Sequence, residues 1–162
     1  MIFVILGSQK FKFNRLLQYI DDLIIEDVID EEVFAQVGYS DYIPKHYHFC
    51  KFLEREEFLN KINESTLVIS HAGTGAIISA LKSKKKCISI PRLLEFEEHV
   101  DDHQMEIAKI FSDLEYIFQA TNLMELKEGI YLAKENEFQQ FTSNNSEYIT
   151  FLSEQVIEKI KK

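Results

Sequence analysis

His71-Ala72-Gly73-Thr74-Gly75 follows a short apolar run, Leu67-Val68-Ile69-Ser70, and opens directly onto Ala76-Ile77-Ile78-Ser79-Ala80-Leu81. A buried strand that feeds a glycine-rich turn and then a helix is a way to hold a phosphate. Glycines let backbone N–H groups approach an anion, and the helix N-terminus adds partial positive charge. Thr74 is placed to cap that helix or to bond a phosphate oxygen. The same turn is equally what close packing of a strand against a helix demands. Gly7-Ser8-Gln9 ends another apolar run, Ile2-Phe3-Val4-Ile5-Leu6, with Asn14 near the start of the next helix. It is either a second backbone loop at the same ligand crevice or a turn that needs glycine for its conformation.

A third polar segment, Pro91-Arg92 through Glu98-His99-Val100-Asp101-Asp102-His103-Gln104, follows the run Cys87-Ile88-Ser89-Ile90. Arg92 is a natural phosphate partner at a crevice rim. Asp101 and Asp102 suit the N-terminus of the following helix. Gln104 shares a helical face with Val100, Ile107, Ala108 and Phe111, so its amide is either bonded to backbone or aimed at a ligand. His99 and His103 lie one turn apart on an early-starting helix, but nothing nearby completes a zinc site, and no metal is expected. The run Lys84-Lys85-Lys86 reads as a solvated loop rather than a lipid contact.

The elements that must position these residues alternate. Strands are expected at Ile2–Leu6, Val33–Val37, His48–Phe52, Leu67–Ser70, Cys87–Ile90 and Tyr116–Phe118. Helical spacing covers Phe13 to Ile24, about Glu54 to Asn63, Thr74 to Lys82, Val100 to Phe111 and Leu123 to Ala133. The segment Tyr39 to Pro44 has turn chemistry, Lys134 to Glu147 reads as a loop, and Tyr148, Leu152, Val156 and Ile160 form an i, i+4 stripe on a terminal helix over about 147–161. This pattern specifies an α/β fold, a Rossmann-like parallel sheet with helices on both faces. Right-handed crossovers put every strand-to-helix loop at one sheet edge, so the loops at Gly7, Gly73 and Arg92 converge on one crevice.

The chain has 162 residues, which fits one domain over 1–162 with a proper core. Its net charge of -9 argues against nucleic-acid binding but permits an anionic small ligand in a locally positive site. Cys50 and Cys87 suit reduced thiols in the cytoplasm, and the apolar N-terminus is too short to span a membrane. A nicotinamide-dinucleotide site competes for the glycine turn, with Glu95 near the position of a ribose-binding acid. However, Ile78 stands where that fingerprint has its third glycine.

Taken together these segments resemble the donor-binding half of family-28-type glycosyltransferases, and in particular the Alg13-like and PssE/EpsF-type small subunits of two-component enzymes. Gly7-Ser8-Gln9 is similar to the family's N-terminal glycine loop and Gln36-Val37-Gly38 to its Q-[IV]-G. His71-Ala72-Gly73-Thr74-Gly75 matches H-A-G-[ST]-G, and Pro91-Arg92 with His99 to Gln104 matches P-[RN]…H-x-D-x-H-Q. The resemblance covers roughly residues 1 to 120. It implies one half of a GT-B architecture holding a UDP-sugar without a cofactor. Donor-binding residues would be Gly7, Ser8, His71, Ala72, Gly73, Thr74, Gly75, Arg92, His103 and Gln104, with His103 and Gln104 reaching the sugar or nearby phosphate.

The resemblance also implies a membrane-anchored, acceptor-binding partner subunit and, through it, a lipid-linked saccharide. The chain itself would be cytoplasmic and peripheral at the inner membrane face. The resemblance further implies inverting β-1,4-galactosyl transfer in exopolysaccharide or capsule synthesis. No general base is identifiable, and the catalytic residues stay unassigned. Many relatives carry Glu where this chain has Ser79, so a non-catalytic enhancer subunit is the alternative.

Overall fold

The computed structural model describes residues 1–100, 103–136 and 138–142, with His103 described by its backbone alone. Strands β1 (Ile2–Ile5), β2 (Val33–Gln36), β3 (His48–Cys50), β4 (Leu67–Ser70), β5 (Lys86–Ser89) and β6 (Phe118–Gln119) form one sheet. Its order is β3-β2-β1-β4-β5-β6 and every pairing is parallel. The helices are α1 (Asn14–Ile25), α2 (Arg55–Glu64), α3 (Thr74–Lys82), α4 (His103–Asp113) and α5 (Leu123–Glu135). This is the Rossmann-like layout expected from the alternation of apolar runs and amphipathic stripes.

β1 shows why the strands read as unbroken apolar runs. Ile2, Val4 and Leu6 pack with Leu16, Leu17 and Ile20 of α1 and with Leu126 and Ile130 of α5. Phe3 and Ile5 turn to the opposite face and meet Ile62 of α2 and Ile77, Ala80 and Leu81 of α3. With both faces covered, no position on the strand favours a polar side chain.

The element boundaries depart from expectation where tertiary contacts outweigh local pattern. β5 starts one residue early, because Lys86 pairs with Leu67 in the ladder while its Nζ reaches the carbonyl of Ala133 at 2.8 Å. β3 ends at Cys50 and β6 holds only Phe118 and Gln119. α4 begins at His103, so Val100 lies outside it and is exposed, and a short 3-10 turn at Leu94–Phe96 precedes it. His99 and His103 therefore do not share a helix. Asp101, Asp102 and the expected terminal helix over about 147–161 lie outside the described residues. Among the described residues, no helix is long and apolar enough to cross a membrane.

Candidate functional site

The sheet order reverses direction between β1 and β4, and the loops leaving these two strands open a crevice at their C-terminal ends. Crevices at such switch points are where open parallel sheets hold ligands. Here the cleft has a volume of about 630 Å³. It is bordered by Gly7, Ser8 and Gln9 after β1, by His71 to Ala76 after β4, and by His99, Gln104 and Ile107 after β5. Gln36, Leu53, Arg55 and Phe58 close the end beside β2 and β3.

His71 organises the centre. Its Nδ1 lies 3.0 Å from the carbonyl of Ile5, a group that only accepts, so Nδ1 carries the proton and Nε2 presents a lone pair. The ring fills the space between two glycines. A Cβ at Gly7 would come within 2.6 Å of it, and one at Gly73 would strike it as well. Gly7 also has φ +76, while Ala72 adopts φ +65, a left-handed conformation uncommon for alanine. Burial, with help from the Arg92 charge and from His99, lowers the imidazole pKa to about 4, so His71 is neutral at pH 7.

Beyond His71, Gly73 is the N-cap of α3 and Thr74 its first helical residue. Among the described residues no side chain caps this helix, and its first turn contains no acidic residue. Thr74 and Gly75 are exposed, and a Cβ on Gly75 would meet nothing within 4 Å. The helix N-terminus thus opens into the cleft: Ala76 and Ile77 donate to the Gly73 carbonyl, while the N–H groups of Thr74 and Gly75 have no partner among the described residues. Among the described residues, none that lines the cleft is Asp or Glu, although the chain carries 27 of them. Arg55 is the cation on the wall.

The remaining predicted residues divide. Ser8 lines the cleft and is exposed. Gln104 lines it and is buried, its Oε1 accepting the Arg92 backbone N–H at 3.1 Å. That leaves its amide nitrogen as the end available to a ligand. His103 opens α4, and its side chain is outside the description. Arg92 departs from expectation: it is fully buried and not part of the cleft wall. Its Nη2 donates to the carbonyls of Leu6 and, at 3.5 Å, of Phe11, with the guanidinium 5.7 Å from the Phe13 ring. The side chain turns inward because the carbonyls at both ends of the glycine loop need a donor. Ser79, at the position where the resemblance expects Glu, donates its hydroxyl to the Gly75 carbonyl at 2.7 Å.

Other residues also build the site: Gln36 is named in the sequence through the Q-[IV]-G resemblance, whereas Arg15, Asp21 and Arg55 are not singled out there. Gln36 is buried on the cleft wall, its Oε1 accepting the Leu53 N–H at 3.1 Å and so fixing the β3–α2 loop. Arg15 forms a bidentate pair with Glu98 at 2.9 and 2.8 Å and also donates to the carbonyls of Thr121 and Pro91. This pair ties α1 to the segment after β5. Asp21 is a buried carboxylate that accepts from Tyr42, from the backbone N–H groups of Lys45 and His46, and from the His46 ring. Burial by itself would raise its pKa, but these bonds prevail and hold it below the usual range. The one available signal was position: Arg55 and Leu53 follow a strand of a parallel sheet and so must emerge at the ligand edge. Glu98 and Arg15 are 83 residues apart, with nothing local to link them. Among the described residues no three His, Cys, Asp or Glu side chains gather as a metal site requires.

The cleft and the open helix terminus can be set beside known proteins. A region of 59 residues is 44% identical to the UDP-N-acetylglucosamine transferase subunit ALG13 of Candida albicans, covering 36% of this chain and 19% of that protein. The solved UDP-GlcNAc 2-epimerase of Methanocaldococcus jannaschii, in complex with UDP-GlcNAc and UDP, aligns at TM-score 0.62 and 13% identity. It covers 94% of this chain and 44% of that one. MurG of Acinetobacter baumannii aligns at TM-score 0.52 and 16% identity, over 82% of this chain and 45% of its own. At such identities the two structures establish the fold, and the chain spans under half the length of each. The model of the glycosyltransferase family 28 C-terminal domain matches residues 1–160, and the chain belongs to that family.

Proposed function

We propose that this chain is the donor-binding subunit of a two-component glycosyltransferase and holds the diphosphate of a UDP-sugar at the N-terminus of α3. The observation that carries this reading is the uncapped first turn of α3 opening into a cleft whose described wall has no carboxylate. An anion there meets backbone donors and the positive helix end without like-charge repulsion. Gly7 and Ser8 form the facing loop, and Gln104 offers its amide to the sugar side, with His103 assigned there by resemblance.

The chemistry of such a site is mainly to stabilise charge on the departing nucleoside diphosphate and to orient the sugar for displacement with inversion. The α3 N-terminus supplies that stabilisation. The base for the acceptor hydroxyl is assigned, in this reading, to a membrane-anchored partner that presents a lipid-linked saccharide. By its own resemblance the chain would transfer galactose in exopolysaccharide or capsule synthesis, whereas the Candida relative is named for N-acetylglucosamine. Cytoplasmic placement at the membrane follows from the same two-component reading. A second reading, an enhancer subunit that binds donor poorly, is favoured by Ser79, whose hydroxyl is committed to its own helix.

Titration calorimetry with UDP, UDP-galactose and UDP-N-acetylglucosamine separates the two, using Gly75→Asp as the control variant. Open space at Gly75 lets the carboxylate fit, and an acid in the first turn stabilises a helix by roughly 0.3–1 kcal/mol. The variant is therefore expected to melt no lower than the parent while losing nucleotide binding. Absence of UDP binding by the parent chain, with its partner present, would sink the donor reading in favour of the enhancer.

A further inference from the structure

Among the described residues Arg92 is the largest fully buried side chain, and the groups described around it do not neutralise its charge. Among the described residues, Nε and Nη1 are buried without hydrogen-bond partners, and Nη2 is met by the carbonyls of Leu6 and Phe11. The nearby carboxylate, Glu98, is already engaged: both of its oxygens receive Arg15, and Oε2 also accepts the Leu93 N–H at 3.1 Å. Two guanidiniums thus share one carboxylate, and the buried cluster of Arg15, Glu98 and Arg92 is left with a net positive charge.

That excess lies directly behind the site. Leu6 and Phe11 bracket the Gly7–Lys10 turn, so one guanidinium spans both ends of the glycine loop. The Arg92 backbone N–H also holds Oε1 of Gln104 on the opposite wall of the cleft. A buried charge is costly unless a counter-charge is near, and its field is weakly screened. The missing counter-charge would be an anion seated at α3.

We propose that Arg92 is a positioning residue that never touches the ligand: it pins the glycine loop and holds behind the cleft the positive charge that a bound diphosphate neutralises. This rests on the donor reading above and replaces direct phosphate contact with action through the loop. In support, the charge of Arg92 is felt at the cleft wall, where it contributes to lowering the pKa of His71. Burial draws the pKa of Arg92 itself down to about 10, which leaves it charged at neutral pH.

The test titrates UDP, inorganic pyrophosphate and uridine into the full chain and into Arg92→Lys and Arg92→Gln. Lysine keeps the charge, whereas glutamine keeps a donor for the Leu6 carbonyl but no charge. The expected result is a loss of about tenfold or more in affinity for UDP and pyrophosphate in Arg92→Gln, near-parent affinity in Arg92→Lys, and unchanged uridine binding in both. UDP binding by Arg92→Gln at parent strength would overturn the proposal while leaving the donor reading intact. Equal losses in the lysine and glutamine variants, or a parallel loss of uridine binding, would overturn it too, since they would mean shape rather than charge. Failure of the parent to bind UDP or pyrophosphate would overturn both readings.

Discussion

Glycine and histidine types at the crevice are set by one another. Gly7 and Gly73 are required because the His71 ring occupies the space where their side chains would go, and Gly7 because its φ is positive as well. Gly7→Ala is expected to destabilise the fold by about 2 kcal/mol, measured by urea unfolding, since it combines a backbone penalty with a steric clash. His71 makes a different prediction. Its pKa is near 4 in the folded chain and 6.5 as the ordinary value, so the unfolded chain binds more protons between those limits. Stability from the neutral imidazole is complete above pH 6.5 and is lost as pH falls towards 4, amounting to about 3 kcal/mol at most. Arg92 and His99 are the charged and titratable groups that act on this ring, and the Ile5 carbonyl works against them. Unfolding free energies across pH 7 to 4 check this, with His71→Asn expected to flatten the slope. The buried carboxylate Asp21 adds its own loss only at lower pH, because its folded pKa lies below 3.8.

Between elements, polar ties rather than apolar packing fix how the loops stand around the cleft. Arg15 on α1 reaches Glu98, Pro91 and Thr121, and so locks the segment after β5 to the first helix. Both members of the ion pair are largely buried, with side-chain exposures of 12% and 7%. Removing one partner leaves an uncompensated charge, which generally costs about 3–5 kcal/mol. Glu98→Ala should therefore lower stability by that order, and more here because Arg92 also loses its nearest compensation. A double-mutant cycle with Arg15→Met should show less loss in the pair than the sum of the single changes. Asp21 plays the same part for the turn between β2 and β3, holding Tyr42, Lys45 and His46 from α1.

For the molecule as a whole, the parallel sheet concentrates stability in its middle. β1 and β4 pair on both sides and are buried on both faces, whereas β3 and β6 are short edges. Amide hydrogen exchange should be slowest in β1 and β4 and fastest in β3 and β6. The two slow strands are the ones whose ends carry the glycine turns, so the cradle is built on the most rigid part of the sheet. Among the described residues this acidic chain places no Asp or Glu on the wall of the cleft, which separates bulk charge from site charge there. Bulk charge bears on solubility, while the site depends on the nearest donors and dipoles.

By itself the sequence determined the alternation of strands and helices, the two-faced core and the edge at which the glycine turns meet. Each of these depends on local periodicity and on the fixed hand of the crossovers, which are properties of short segments. It also named Gly7, His71 to Gly75 and Gln104 as neighbours of a ligand, and the fold brings them to one cleft. Only the tertiary structure decided which way Arg92 faces, since that follows from the unpaired carbonyls of Leu6 and Phe11, over 80 residues away in the chain. The same holds for the Arg15–Glu98 tie, for Gln36 as a brace and for Arg55 on the wall. Burial and hydrogen-bond demand belong to the assembled structure, and no spacing along the chain encodes them.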